Sequence, residues 1–300
     1  MIIILGPTAS GKTALAAKLA NQINGEIISA DSRQVYRGMT IGTGKDYEEY
    51  CVKGSPITYH LIDIKEPGYE YNVFEFLQDF QKVLIDIISR GKTPVLCGGS
   101  GMYIDAVVNG YKLQKINKNP ELLKTLQSKT GDELSEMLRQ SRKTHNTTDL
   151  LDRERMIRAI QISQESNEDK KKIPSLPLPG YTLIGISFGR EALRKRITDR
   201  LERRLQNGMI TEVEQLLKNG LSPGQLKFYG LEYRYITLYL EGELTYNEMF
   251  RLLNTAIHQF SKRQMTWFRK IEREGHHINW INGATDLDEN VRLSIGLINT

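Results

Sequence analysis

Gly6-Pro7-Thr8-Ala9-Ser10-Gly11-Lys12-Thr13 fits G-x-x-x-x-G-K-[ST], a spacing at which a chain wraps its backbone around phosphate. In such a loop the glycines let N–H groups turn inward onto phosphate oxygens, Lys12 adds a mobile positive charge, and the Thr13 hydroxyl can ligate Mg²⁺. A plain glycine turn is the competing reading, and the context weighs against it. The apolar run Ile2-Ile3-Ile4-Leu5 reads as a buried strand before the loop. Leu15, Leu19 and Ile23 then recur on one face of a helix whose N-terminus points at the anion.

Two further residues could carry chemistry. Asp31 follows the apolar segment Glu26–Ala30 and, facing a bound phosphate, could take a proton from an acceptor; a turn or capping acid is an equal reading. Ser100, in Gly98-Gly99-Ser100-Gly101, could hydrogen-bond a leaving oxygen or an incoming base, or be a turn serine. Ile257, Phe260, Gln264, Trp267 and Ile271 share a helical face, which makes Trp267 core rather than a stacking platform and leaves Lys262, Arg263, Arg269 and Lys270 for phosphates. His60 reads as a satisfied core histidine, and His276-His277 as loop, without a third ligand at metal spacing.

The elements that must position these groups alternate. Strands are expected at the amino terminus, at Glu26–Ala30, Tyr59–Ile64 and Pro94–Cys97, with helices after the first and over Val73–Arg90. Alternation of this kind implies a parallel sheet with helices on both faces, and ligands sit beyond the carboxyl ends of such strands. The phosphate loop, Asp31 and Ser100 therefore fall on one rim. From Tyr111 the pattern is helical only (Pro120–Lys129, Gly131–Gln140, Leu151–Gln164), until a polar, proline-rich connector leads into a strand at Tyr181–Ser187. The expected organisation is thus a P-loop NTPase-like α/β core, 1–110 and 181–300, carrying an inserted all-helical domain, 111–180. Helices are expected for the remainder, at Glu191–Asn207, Ile210–Lys218 and Thr245–Glu274.

Three hundred residues with 39% hydrophobic content suffice for a full core and exclude a disordered chain. Two distant cysteines, Cys51 and Cys97, indicate neither a zinc site nor a disulfide framework. No apolar stretch approaches the ~20 residues of a membrane span, and no leader precedes the first strand, so a cytoplasmic protein is expected. The net charge of +5 is unevenly spread: 111–180 holds 14 Lys/Arg against 10 Asp/Glu, and 190–204 holds 7 against 3. Such stretches suit a polyanion, or are solvated helix faces.

Together with the phosphate loop, the blocks Asp31-Ser32-Arg33-Gln34-Val35-Tyr36-Arg37-Gly38-Met39, Ile41-Gly42-Thr43-Gly44-Lys45, His60-Leu61-Ile62-Asp63, Gly98–Tyr103 and Lys262-Arg263-Gln264-Met265-Thr266-Trp267-Phe268-Arg269 closely resemble the bacterial tRNA dimethylallyltransferase family over nearly the whole chain. The resemblance implies an enzyme that moves a dimethylallyl group from dimethylallyl diphosphate to N6 of the adenosine 3′ of the anticodon. It implies that Gly6–Thr13 hold the prenyl diphosphate, with Thr13 on Mg²⁺ and Arg234 assisting. By the same resemblance Asp31 is the general base, Lys12 and Ser100 complete the catalytic set, and Ser32, Arg33 and Gln34 contact base and backbone. Asn117, Glu154, Arg155, Met156, Ile157, Arg158, Lys262, Arg263 and Gln264 would meet the tRNA anticodon stem-loop, and a monomer is expected. Three positions depart from the family pattern: Tyr59-His60 replace paired histidines, Glu232-Tyr233-Arg234-Tyr235 replace G-Y-[KR]-[EQ], and Asp46 stands where proline is common. On the residues alone, a small P-loop kinase, a prenyltransferase of free AMP or ADP, and a noncatalytic RNA-binding protein also remain open, separable by their products.

Overall fold

The computed structural model describes residues 1–111, 120–141, 153–164, 178 and 180–298. In chain order its elements are β1 (Ile2–Leu5), α1 (Lys12–Gln22), β2 (Gly25–Ala30), a short 3₁₀ turn (Tyr47–Tyr50), β3 (Cys51–Val52), β4 (Ser55–Pro56), β5 (Tyr59–His60), α2 (Val73–Ser89), β6 (Thr93–Gly98), α3 (Gly101–Val108), α4 (Pro120–Ser128), α5 (Gly131–Ser141), α6 (Arg153–Gln164), β7 (Thr182–Ser187), α7 (Arg190–Gln206), α8 (Met209–Lys218), α9 (Pro223–Phe228), α10 (Leu231–Leu240), α11 (Tyr246–Arg273), β8 (Ile278–Asn282) and α12 (Leu287–Ile298). The chain divides into two compact units, Met1–Tyr111 with Leu176–Thr300, and Lys112–Ser175.

The larger unit is built on a six-stranded sheet of order β5-β2-β6-β1-β7-β8, every pairing parallel. Strands covered on both faces need continuous apolar runs, and Ile2–Leu5 supply one with every side chain buried. Each such Ile or Leu contributes roughly 1.5–3 kcal/mol. Helix α2 starts at Asn72, whose side chain accepts the N–H groups of Phe74 and Glu75, and it buries Phe76, Phe80, Leu84 and Ile87 as their spacing requires. Helix α11 begins with a reciprocal Thr245–Glu248 capping box and runs 28 residues.

Three expectations are corrected. The third strand is only Tyr59–His60, because Leu61 and Asp63 take left-handed backbone (φ 63° and 55°), which ends pairing. Helices alone are expected after the Tyr181–Ser187 strand, a reading that leaves out the edge strand β8, whose short run is held by parallel pairing with β7. On α11 the buried face carries Phe268, while Phe260 is exposed and Trp267 half-buried, a modest rotation of the expected stripe.

The smaller unit has its own core, in which Leu126, Leu134 and Leu138 pack with Met156, Ile157, Ala159 and Ile160. Met156 and Ile157 therefore do not face RNA as expected: they are 4% and 7% exposed, since adjacent apolar residues on α6 are what closes this small core. Asn117 and the side chains of Glu154, Arg155 and Arg158 lie outside the described residues.

Candidate active site

At the carboxyl end of β1 the chain turns through Gly6–Gly11, with Ala9 and Gly11 both in the left-handed region (φ 62° and 79°). For Ala9 this costs about 1–2 kcal/mol, a strain typical of ligand-shaped loops. Lys12 opens α1, and among the described residues its Nζ hydrogen-bonds only the Pro7 carbonyl, at 3.4 Å. Burial pushes the Lys12 ammonium below the ordinary lysine pKa, with Arg200 adding repulsion and Cys97 and Asp31 acting oppositely. The Ser10 hydroxyl is buried and has no hydrogen-bond partner among the described residues.

The neighbouring strand ends complete the rim. After β2, Asp31 accepts the Arg33 N–H on Oδ1 at 2.8 Å, while Oδ2 has no hydrogen bond among the described residues. The turn and proton-acceptor readings are thus compatible, one oxygen for each. After β6, Ser100 Oγ accepts the Ser32 N–H at 3.1 Å and so fixes the Asp31–Ser32 turn. Close approach of β6 to β2 requires Gly98, where a Cβ would collide with the Ala30 carbonyl. From α7, Arg196 and Arg200 lean on the loop, Arg196 Nε donating to Ala9 O at 2.9 Å and Arg200 Nη1 lying 3.5 Å from Thr8 Oγ1, while Arg204, a further four residues on, lies beside Gly44 and Asp46.

A cavity of about 400 Å³ here is lined by Thr8, Lys12, Thr13, Asp31, Ser32, Arg33, Gln34, Ser100, Arg200, Arg204, Arg234, Arg263 and Gln264, with Tyr50, Leu231 and Ile257 among its apolar lining. Glu232, which also lines the cavity, has its carboxyl pushed up by burial against the pull of Arg204. Such a cavity can hold a phosphate-bearing molecule with a small apolar tail beside a carboxylate able to accept a proton.

The sequence pattern of the IPP transferase family matches residues 34–271, and that of the isopentenyl transferases matches 1–57. The chain belongs to the IPP transferase family. It is 49% identical over 300 residues to tRNA dimethylallyltransferase 2 of Phocaeicola vulgatus, covering 100% of this chain and 98% of that one. It is 50% identical to tRNA dimethylallyltransferase 1 of Parabacteroides distasonis, covering 100% and 97%. The crystal structure of the tRNA isopentenylpyrophosphate transferase of Bacillus halodurans superposes with a TM-score of 0.72 at 29% identity, covering 99% of this chain and 95% of that one.

Within this IPP transferase the expected site residues divide by position. Lys12, Thr13, Asp31, Ser32, Arg33, Ser100, Arg234 and Arg263 meet at the cavity, and Gly6, Pro7, Ala9, Ser10 and Gly11 shape its loop. Lys262 is exposed on α11 and does not line it. Gln34 and Gln264, expected to touch tRNA, have their amides engaged inside the protein. Gln34 takes the Ser29 hydroxyl at 2.9 Å and gives Nε2 to Gly44 O at 3.0 Å. Gln264 is 4% exposed; its Oε1 accepts the Thr8 N–H at 2.8 Å and its Nε2 donates to Gly99 O at 2.9 Å. One side chain of α11 thereby pins the phosphate loop to the β6 turn. Gln264→Ala strands a buried donor and a buried acceptor, and an unfolding free energy lower by about 1–3 kcal/mol is expected in urea titration; a change within error would show that the bridge carries no stability.

Two features escaped sequence reading. The 190–204 basic stretch read as a polyanion surface, yet its Arg196, Arg200 and Arg204 face the phosphate loop; their four-residue spacing was the available signal. Glu212 gave none: its carboxylate accepts the N–H groups of Thr40, Ile41 and Gly42 at 2.6–3.0 Å and the Tyr233 hydroxyl at 2.6 Å. It holds the loop after the Asp31 block against α10, where Gly42 leaves room for the Tyr233 ring.

Proposed function

We propose that this IPP transferase moves a dimethylallyl group from dimethylallyl diphosphate to N6 of the adenosine 3′ of the anticodon in tRNA, giving N6-dimethylallyladenosine and diphosphate. The observation that carries the reading is the convergence of the Gly6–Thr13 loop and the Asp31 carboxylate on one cavity, in a chain half identical to named tRNA dimethylallyltransferases. In the reaction the C1–O bond to diphosphate breaks, the C1–N6 bond forms, and the N6 proton passes to Asp31 Oδ2. An allylic cation is delocalised, so the protein's main task is to neutralise the departing diphosphate, which Lys12, the loop N–H groups, Arg200 and Arg204 are placed to do. Arg234 lines the same cavity and would add a cation at its mouth. The apolar side, Tyr50, Leu231 and Ile257, takes the prenyl tail and keeps water from the reacting carbon.

Mg²⁺ fits this donor set. The Thr13 hydroxyl lines the cavity beside Lys12, and no cluster of three or more acidic, histidine or cysteine ligands exists among the described residues. That suits an ion that keeps several waters and binds mainly through substrate phosphates, where it would supply further charge neutralisation.

The target base is stacked in a free anticodon loop and must be extruded toward Asp31, at a cost of a few kcal/mol offset by contacts in the cavity. Arg33 and Arg263 at its rim, and Lys262 beyond it, are placed for loop phosphates. The basic 111–180 segment, with Asn117 and the α6 residues Glu154, Arg155 and Arg158, would grip the stem. A monomer in a reducing cytoplasm suits the unpaired Cys51 and Cys97; among the described residues no helix is long and apolar enough to cross a membrane.

The test is incubation of the purified chain with tRNA, dimethylallyl diphosphate and Mg²⁺, followed by mass spectrometry of the digested nucleosides. N6-dimethylallyladenosine together with free diphosphate is expected. Prenylated AMP without modified tRNA, or a phosphorylated acceptor with ADP, would overturn the reading.

A further inference from the structure

Asp46 follows the loop held by Glu212 and meets the arginines of α7. Its Oδ2 lies 2.5 Å from Arg200 Nη2 and its Oδ1 lies 3.5 Å from Arg204 Nη2. Both arginines line the 400 Å³ cavity, and both also line a second cavity of about 320 Å³ that shares Lys12 and Thr13 with the first. Asp46 belongs to the second cavity only. Asp46 therefore pairs with the two guanidinium groups without itself lining the cavity that Asp31 lines.

The pairing is incomplete. Arg204 Nη2 is buried and makes no hydrogen bond among the described residues, its separation from Asp46 being too long for one. Among the described residues Arg200 Nη1 has only the 3.5 Å contact to Thr8 Oγ1. Other acids nearby are differently engaged: Asp199 is paired with Lys195 at 2.9 Å, burial, then Asp46 itself, push the Glu49 carboxyl up, and burial likewise pushes up Glu232, which faces Arg204 and Arg200 from within the first cavity. Burial opposes ionisation of Asp46 too, but the Arg200 and Arg204 charges outweigh it and hold its carboxyl below the ordinary aspartate value. A position at which the resembled family commonly has uncharged proline thus carries a negative charge here.

We propose that Asp46 is an exchangeable counter-ion for Arg200 and Arg204: it holds them while the donor site is empty, releases them to an arriving diphosphate, and takes them back as diphosphate leaves. A diphosphate carries more charge and more acceptor oxygens than one carboxylate, so it wins the exchange, but its affinity is reduced by the pairing it must displace. The carboxylate left nearby also repels the bound product. Asp46 is a positioning residue that sets donor affinity and product release.

The inference rests on the phosphate loop being the donor's diphosphate site, and the experiment separates the two. Inorganic diphosphate with Mg²⁺ is titrated calorimetrically into the full chain and into Asp46→Asn, Asp46→Ser and Asp46→Glu, each checked by its melting curve. Wild type is expected to bind; Asn and Ser should bind about tenfold tighter, as removal of one nearby negative charge warrants, and Glu should stay within about twofold of wild type. Ser, small and neutral, decides the matter if Asn perturbs the fold. Stronger product inhibition by diphosphate should accompany the tighter binding. Unchanged or weaker binding by both neutral variants overturns the counter-ion role while leaving the donor site intact. Absence of diphosphate binding by wild type would sink the donor site, and the inference with it.

Discussion

Asp31→Asn is expected to lower kcat by about 10²- to 10⁴-fold, the contribution typical of a general base in contact with the proton it takes, equivalent to roughly 3–5 kcal/mol of barrier. The substitution is nearly isosteric, and the asparagine Oδ1 can still accept the Arg33 N–H that fixes the turn. What is lost is the oxygen that has no hydrogen bond among the described residues, the one left to receive the adenine N6 proton. Donor Kd should change only a few-fold, because Asp31 stands across the cavity rim from the loop that binds diphosphate. Some tRNA affinity should go if the carboxylate also orients the extruded base. Single-turnover transfer at saturating enzyme isolates the chemical step from product release. Near wild-type rates in that assay would leave Asp31 with its turn alone, and the proton acceptor would have to be another group of the cavity.

The βα logic of the sequence was enough to bring Lys12, Asp31 and Ser100 together, because in a parallel sheet every strand of that layer delivers its following loop to the same edge. It was not enough to say what holds those loops there. Gln34 and Gln264 are polar residues inside motifs that resemble RNA-binding blocks, and an exposed contact was the natural reading. In the fold each joins two backbone segments, Gln264 joining Thr8 to Gly99. Nothing local distinguishes a glutamine that faces solvent from one that bridges two loops; the difference lies in whether unsatisfied backbone groups from distant segments arrive beside it. Glu212 is the same case, one of two acids on the amphipathic helix α8 until three consecutive N–H groups are delivered to it. The α7 arginines were visible as charge but not as direction. Their spacing defines a face, and only the packing of buried Ile197 and Leu201 turns that face to the phosphate loop. Met156 and Ile157 show the opposite case: the resemblance implied contact with tRNA, whereas among the described residues they pack with Ala159 and Ile160 against Leu126, Leu134 and Leu138.

Lys12→Ala should raise the donor Kd and slow transfer together, with a combined loss in kcat/KM of about 10²- to 10³-fold, as for removal of one preorganised charge-stabilising donor. Lys12 is half-buried, its Nζ makes among the described residues only the long hydrogen bond to the Pro7 carbonyl, and burial destabilises it as an ammonium. Its charge is thus held in reserve for an anion that arrives with the substrate. Two consequences separate this role from a structural one. The variant loses a poorly solvated cation with few partners, so its melting temperature should hold or rise, where loss of a structural residue would lower it. The sign of the pH dependence also follows. Diphosphate binds the protonated amine, and burial places the free-enzyme pKa below the usual lysine value, so wild-type donor affinity should fall as pH rises through that depressed pKa. In Lys12→Ala this limb of the profile should vanish while tRNA binding persists. Donor titrations across alkaline pH on both proteins, with a tRNA gel shift as control, decide it; a pH limb that survives in the variant would assign the titration to another group, and equal loss of donor and tRNA binding would mean misfolding.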